Sequence, residues 1–512
     1  MKLYRSNRME LLAEALAEVL STPRSDPMAA ETVIVQSRGM ERWLSMQVAE
    51  HLGVCANVEF PFPRTVIRQK LSEAMGIEKR DWDAWSPDAM MWSILASLRE
   101  HLETPPFAPL RRYLERSNGG SPDLEGREAV ALVREIADVF DRYLTYRPEM
   151  ILRWDAGEGD PEAWQPRLWA SIRAQIGARH LAEISRDFIN TTRRRTPASP
   201  RGERLCVFGI STLPPLYVSL LSALSHVLDV HVFVLCPSNG YWGHIRNKRE
   251  IARSMRRSPE QALSAADLQL EEGNPLLASL GRLGRDFQVI LEGLDASTPY
   301  VDCKVDLFMN DDVQTALQVV QDDILHIRHR GKAPMDAIWR PSPWSQAPDD
   351  HSLSIHACYG PMRQVEALYD YLLFQLEDDD TLEPRDVVVM TPNLTLYAPL
   401  IDAVFSQHTL GKRALPYRLA DRPLRANNDA ADVVLKVLSL ATSRLSSRDI
   451  LDLVAVRPVR QRFNIPDDQL TMIQRWVVEA DIRWGIDENH RDAWRQPKVS
   501  THTWREGFRR LL

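Results

Sequence analysis

The chain reads as an α/β protein, with parallel sheets carrying helices on both faces and a long helical insertion. Three observations carry that reading. Short apolar runs lead through turns into helical periodicity, as in Val33-Ile34-Val35 followed by Trp43, Met46 and Val48. From about Arg64 to about Pro200 apolar residues recur at helical spacing, for example Trp92, Ile94, Leu95, Leu98 and later Ala131, Leu132, Ile136, Val139, Phe140, Leu144. Strand-type runs then resume at Leu205 and Val230. Strands joined by helical crossovers pair in parallel, and such a sheet must be covered on both faces. With 512 residues the chain exceeds one ordinary core, so two or more domains are expected.

Lys2-Leu3-Tyr4-Arg5 opens the first domain as a strand, Ser6-Asn7 has the chemistry of a helix cap, and a helix follows to about Leu20. The α/β core comprises 1–63 and 201–330, and the helical insertion comprises 64–200, giving a first domain of 1–330. Thr192 to Arg201, with Arg193-Arg194-Arg195 and two prolines, reads as an exposed basic loop. Pro334, Pro341, Pro343 and Pro348 interrupt periodicity and mark 331–351 as a linker. A second α/β domain, 352–512, is expected from strand Ser352–Ala357, helix Met362–Leu376, strand Asp386–Thr391, helix Thr395–Phe405, a short strand near Tyr417 and a helix from about Asn428 to Leu440. Its final segment, Thr503–Leu512, is amphipathic and has no stop signal, so this domain is expected to be incomplete.

Composition excludes several classes. No run approaches the roughly 20 apolar residues that span a bilayer, and the N-terminus lacks a hydrophobic signal core, so a cytoplasmic protein without membrane contact is expected. Five scattered cysteines show neither disulfide nor zinc spacing. A net charge of −7 argues against a uniformly basic nucleic-acid binder, so any DNA contact has to come from local arrangement. His326 and His329 form a His-x-x-His too poor in ligands for a metal.

The strands sit where a motor ATPase keeps its phosphate chemistry, and that chemistry is missing. Val33 to Met40 is a strand, turn and helix N-terminus, the setting of a phosphate loop, without the Gly-Lys-Ser/Thr ending. The chain's Gly-Lys pairs, Gly331-Lys332 and Gly411-Lys412, are followed by Ala333 and Arg413. Leu205 to Ser211 ends in Gly209-Ile210 where an Asp-Glu pair would hold magnesium. Val232 to Asn239 places Cys236-Pro237 where a γ-phosphate sensor would stand. A nuclease of the PD-(D/E)xK type is not expected either, since no Glu-x-Lys triplet exists in the sequence. No catalytic, metal or cofactor-binding residue is assigned.

Several phrases carry a family resemblance. Val35-Gln36-Ser37 with Gly39-Met40, Asn57-Val58-Glu59-Phe60-Pro61-Phe62-Pro63, Phe140-Asp141-Arg142-Tyr143-Leu144 with Tyr146-Arg147-Pro148, Gly209-Ile210-Ser211, Tyr241-Trp242-Gly243, Gly273-Asn274-Pro275 and Ile482-Arg483-Trp484-Gly485 occur in order along the chain. Together they resemble the RecC family, the gamma chains of exodeoxyribonuclease V, over about the N-terminal half of a typical member. The resemblance implies a degenerate superfamily 1 (UvrD-like) helicase fold. It also implies RecB-like and RecD-like partners that use ATP and magnesium, while this chain needs no cofactor, guides split strands from double-stranded DNA ends and scans the 3′-ended single strand for a Chi-like hotspot. Val388 to Tyr397, where UvrD-like helicases carry ATP-contacting arginines, contains none.

The positions that match the family's strand channel in identity are Gln36, Asp138, Asp141 and Arg147. Amide, carboxylate and guanidinium groups can all read exposed base edges. Asp138 and Asp141 share a helix face with Arg134 and Arg142, and Asp138 with Arg142 is also an ordinary solvated helix pair. Arg38, Arg42, Phe62 and Arg68 depart from the familiar pattern, which points to a different reading of guanines or a tighter grip on phosphate. The basic run Arg246 to Arg257 beside Tyr241-Trp242 reads equally as a base-stacking patch or an exposed helix face with a packed Trp. A scaffold that joins two motors and reads little DNA is the alternative function.

Overall fold

In the computed structural model, β1 (Lys2–Ser6), β2 (Glu31–Ile34), β3 (Val58–Glu59), β4 (Arg204–Phe208), β5 (Asp229–Leu235) and β6 (Lys304–Asp306) form one sheet in the order β3-β2-β4-β5-β1-β6. Every ladder is parallel. The structure describes residues 1–24, 26, 28–117, 122–193, 203–257, 273–293, 304–310, 312–330, 344–407, 415–420 and 428–512. Two units divide the chain, Met1–Ser354 and Ile355–Leu512.

Alternation along the strands sorts side chains between two helical layers, as the period of two demands. Val33, Val35, Cys206, Phe208 and Phe233 pack with Leu12, Leu16, Leu44 and Val48 of the helices Met9–Ser21 and Arg38–Leu52. Ile34, Leu205, Val207, Val230 and Val232 face the other way, into a core shared with Val66 and Ile67 of the helix Pro63–Met75 and with Leu220 and Leu221 of the helix Pro215–Leu224. Burial pushes the Cys206 thiol up to about 12, so it behaves as a small hydrophobe.

Every element between β3 and β4 is helical, and these helices extend the second core rather than forming a separate one. Its centre is aromatic: the Trp85 and Trp169 rings stack 5.1 Å apart and Phe140 meets Trp169 edge-on at 5.6 Å. Buried His180 accepts from the Glu183 amide at Nδ1, so Nε2 carries the proton toward Asp155 at 2.8 Å, and Trp169 Nε1 donates to the same carboxylate at 2.9 Å. Burial works against the Asp155 charge, but these hydrogen bonds outweigh it and hold its pKa below the usual carboxylate value.

Ser6-Asn7 does not cap the first helix. Its N-cap is Arg8, without a side-chain bond. Ser6 Oγ instead donates to the Leu307 carbonyl at 2.7 Å, and the Asn7 amide exchanges two hydrogen bonds with the Met309 backbone. Both residues thereby anchor the segment that follows β6, a long-range use that local spacing does not reveal.

The second unit departs further from expectation. Helices form at Pro361–Asp378, Leu394–Gln407 and Asp429–Leu440, the last capped by Asn428. The segments expected as strands, Ser352–Ala357, Asp386–Thr391 and the stretch near Tyr417, are not strands, so no second parallel sheet exists among the described residues. A ladder needs a partner, and none of the described residues supplies one. Ile355 and Met390 are accordingly 93% and 89% exposed. Beyond residue 440 short helices follow, pinned by a bridge between Ser446 and Trp484. Among the described residues no helix is long and apolar enough to cross a membrane. The loop 194–202, the linker segment 331–343 and both Gly-Lys pairs lie outside the described residues.

At the start of β5, Asp229 lies 3.0 Å from His231 Nε2 and 3.6 Å from Lys2 Nζ. The close approach of His231, aided by Lys2 and opposed by burial, pulls the Asp229 pKa down to about 2. A depressed carboxylate pKa stabilises the fold above the unfolded value of about 4 and loses that contribution as pH falls. The stability difference between the wild type and Asp229→Asn, measured by urea unfolding, should therefore shrink as pH drops from about 4 to about 2.

Candidate nucleic-acid interface

The chain leaves the adjacent strands β2 and β4 toward opposite faces of the sheet, one into the helix Arg38–Leu52 and the other into the helix Pro215–Leu224. Such a switch point opens the crevice where α/β sheets bind ligands. Here it is closed. Ser211 Oγ after β4 donates to Gln36 Oε1 after β2 at 3.4 Å, bridging the gap. Gly209 takes a left-handed φ of 62°, and a Cβ placed there would stand 3.4 Å from the Met40 methyl and 3.5 Å from that of Met9. Thioethers thus line this edge of the sheet. The amide of Met40, one of the donors a phosphate would need, is taken by the Ser37 cap at 3.2 Å. Past β5, the Cys236 amide donates to the Ser6 carbonyl at 2.8 Å.

The candidate DNA residues trace a path from this edge onto the helical insertion. Val35 donates to the Pro61 carbonyl at 3.3 Å, which brings the Asn57–Pro63 loop beside the end of β2. Across that junction the Arg38 guanidinium sits 5.5 Å from the centre of the half-exposed Phe62 ring while pairing with Glu41 at 2.6 Å. Arg38 and Phe62, two of the four positions read as departing from the family pattern, are therefore in contact. Arg42, one turn on, is exposed and makes no ion pair among the described residues.

Pro63 starts the next helix, and Arg64 within it grips Asp141 bidentately at 2.6 and 2.9 Å. Burial opposes the Arg64 charge, yet Asp141 overcomes it and raises the Arg64 pKa above its ordinary value. Arg68 lies over the Trp82 ring at 5.4 Å, and burial together with the Arg64 charge lowers its pKa. Both Asp141 and Arg68 are thus held in place by neighbours. Asp138 does not pair with Arg142 through its side chain; Arg142 Nε donates to the Asp138 backbone carbonyl at 3.1 Å. Arg142 and Arg147 are exposed and, among the described residues, form no ion pair. Arg147 joins the helices Arg127–Tyr146 and Pro148–Asp155 as cap of both, beside exposed Tyr146.

Arg64 and Tyr146 escaped the sequence reading. The only signal was an arginine directly after Phe62-Pro63, and an aromatic directly before Arg147. Trp242, by contrast, is packed: it is 1% exposed, in a small core with Ile245, Leu277 and Ala278, so it cannot stack on bases. Next to it Arg285 is buried against Glu250 at 3.2 Å. His326 does have a carboxylate neighbour, Asp322 at 2.9 Å, but no group of three metal-type ligands exists among the described residues.

The profile of the family described as "RecC, N-terminal domain" matches residues 1–327, most of the chain. The chain belongs to the RecC family. A second profile, "RecBCD enzyme subunit RecC fourth domain", matches residues 427–512. Among curated relatives, the RecBCD enzyme subunit RecC of Mycolicibacterium smegmatis is 36% identical over 100% of this chain and 45% of its own length. That of Escherichia coli is 32% identical over 100% and 47%, and that of Haemophilus influenzae 30% over 99% and 48%. The chain spans about half the length of the RecC relatives it matches.

The Arg64–Asp141 clasp should show as coupling. In a double-mutant cycle with Arg64→Ala and Asp141→Ala, urea unfolding is expected to give an interaction energy of about 1 kcal/mol, modest because Arg64 is partly exposed.

Proposed function

We propose that this chain is a non-catalytic, DNA-handling part of a RecBCD-type helicase–nuclease, exodeoxyribonuclease V, acting in double-strand break repair by homologous recombination. Its body is a degenerate superfamily 1 (UvrD-like) helicase, with helicase-like domains at 1–330 and 352–512 joined by the linker 331–351. RecB-like and RecD-like partners in the cytoplasm hydrolyse ATP with magnesium, unwind and cut. This chain receives the split strands and scans the 3′-ended one for a Chi-like hotspot.

The observation that carries this reading is the set of side chains at the switch point. A translocase needs phosphate donors and a magnesium carboxylate at that edge, and Gln36, Ser211, Met9 and Met40 occupy it instead. Cations lie outward from it: Arg42, Arg142 and Arg147 have their charges free for phosphate or base edges, while Gln36 and Phe62 offer an amide and a ring. One observation favours the scaffold alternative. Asp141 and Arg68 are already engaged by Arg64 and Trp82, which suits structural work.

The two readings separate in the full-length protein assembled with its RecB-like and RecD-like subunits. Arg142→Glu with Arg147→Glu is expected to leave the complex assembled and unwinding while hotspot response falls by roughly tenfold or more. An unchanged response would select the scaffold. The purified chain alone should release no phosphate from ATP; turnover that tracks the chain through purification would end the reading.

A further inference from the structure

A second concentration of arginine chemistry lies in the second unit, far along the sequence from the residues above. Trp484, Arg491, Gln496, Thr501 and His502 line a cavity of about 380 Å³. Arg491 is only 9% exposed, and its guanidinium carbon lies 4.6 Å from the centre of the Trp484 ring. Arg444 approaches the same ring at 5.7 Å and that of Trp494 at 5.4 Å. Aromatic faces attract both cations without neutralising them.

Neither arginine has a carboxylate partner among the described residues. Arg491 donates to two neutral acceptors, the Val499 and Trp484 carbonyls at 3.2 and 3.3 Å, and its Nε has no partner. Nearby acids are already committed: Asp487 to Arg505 at 2.9 Å, Asp492 to Lys498 at 3.1 Å, and Asp481 to Arg483 and His502, both at 2.7 Å. A buried charge is normally paired, and a guanidinium left unpaired beside an open cavity calls for an anion. The hydroxyl of Thr501 and the amide of Gln496 add neutral hydrogen-bonding groups, and the Trp484 ring adds a stacking surface.

We propose that Arg444, Arg491 and Trp484 form a site for a phosphate group of single-stranded DNA, with the adjoining base against the tryptophan. The choice of DNA as source of the phosphate rests on the strand-handling role proposed above; the anion chemistry does not. Planar, forked guanidinium groups suit phosphate oxygens, and an aromatic face accepts any base, so the site would grip without reading sequence.

Arginine modification by phenylglyoxal, mapped by mass spectrometry on the 512-residue chain, tests the site. Oligo-dT is expected to slow modification of exposed Arg444 by roughly tenfold, and inorganic phosphate at equal phosphate concentration far less. Equal protection by phosphate overturns the DNA assignment in favour of a free-anion site. Protection of Arg142 but not Arg444 by oligo-dT overturns this site and leaves the first-unit interface standing; protection of neither overturns both. In parallel, Arg444→Gln should weaken oligo-dT binding roughly fivefold and lower its salt slope by about one, while Arg448→Gln on the exposed helix nearby should change nothing. Binding by Arg444→Gln equal to that of the parent would sink the proposal.

Discussion

The parallel sheet of the first unit has to be covered on both faces, and most of what this chain does follows from how it meets that demand. β4 and β5 sit in the middle, so Leu205, Cys206, Val207, Phe208, Val230, Val232 and Phe233 leave water altogether. One face is closed by two helices in a short chain segment. The other is closed by helices from the long insertion, and Ile34, Val66 and Trp169 share its core. The insertion is thereby fixed to the sheet, and Arg142 and Arg147 on its surface inherit a set position relative to Gln36 and Arg38.

The sheet edge after β2 and β4 is packed rather than empty. Methionines at Gly209, a side-chain bond across the switch point and a serine cap on the helix that follows β2 occupy it. Charge lies outward from it. The exposed arginines follow the Asn57–Pro63 loop and the Arg127–Tyr146 helix, where solvent reaches them. Arg64 and Asp141 clamp these two elements together.

The second unit follows a different rule. Its strand-like segments are unpaired, and apolar residues such as Ile355, Val388 and Met390 face solvent. Order there comes from local clusters, Val365 and Tyr369 with Val404 and Phe405 in one, Val477 and Ile482 with Trp504 in another. Arg444 and Arg491 lie against the Trp484 ring rather than against carboxylates.

Periodicity was legible wherever a single element decides its own fate. The α/β order of the first unit, the helical run between the two halves of its sheet, the helices at Pro361 and Asp429, and the absence of phosphate-loop residues all follow from local spacing and side-chain chemistry. What spacing cannot supply is a partner. Whether Ser352–Ala357 becomes a strand depends on a neighbour to complete its ladder, whether Ser6 caps a helix or ties down Leu307 depends on where β6 arrives, and whether Asp141 meets a base or Arg64 depends on the packing of two helices. Hydrogen bonds and ion pairs between distant segments form only after the chain has closed those distances, so only the tertiary structure decided them.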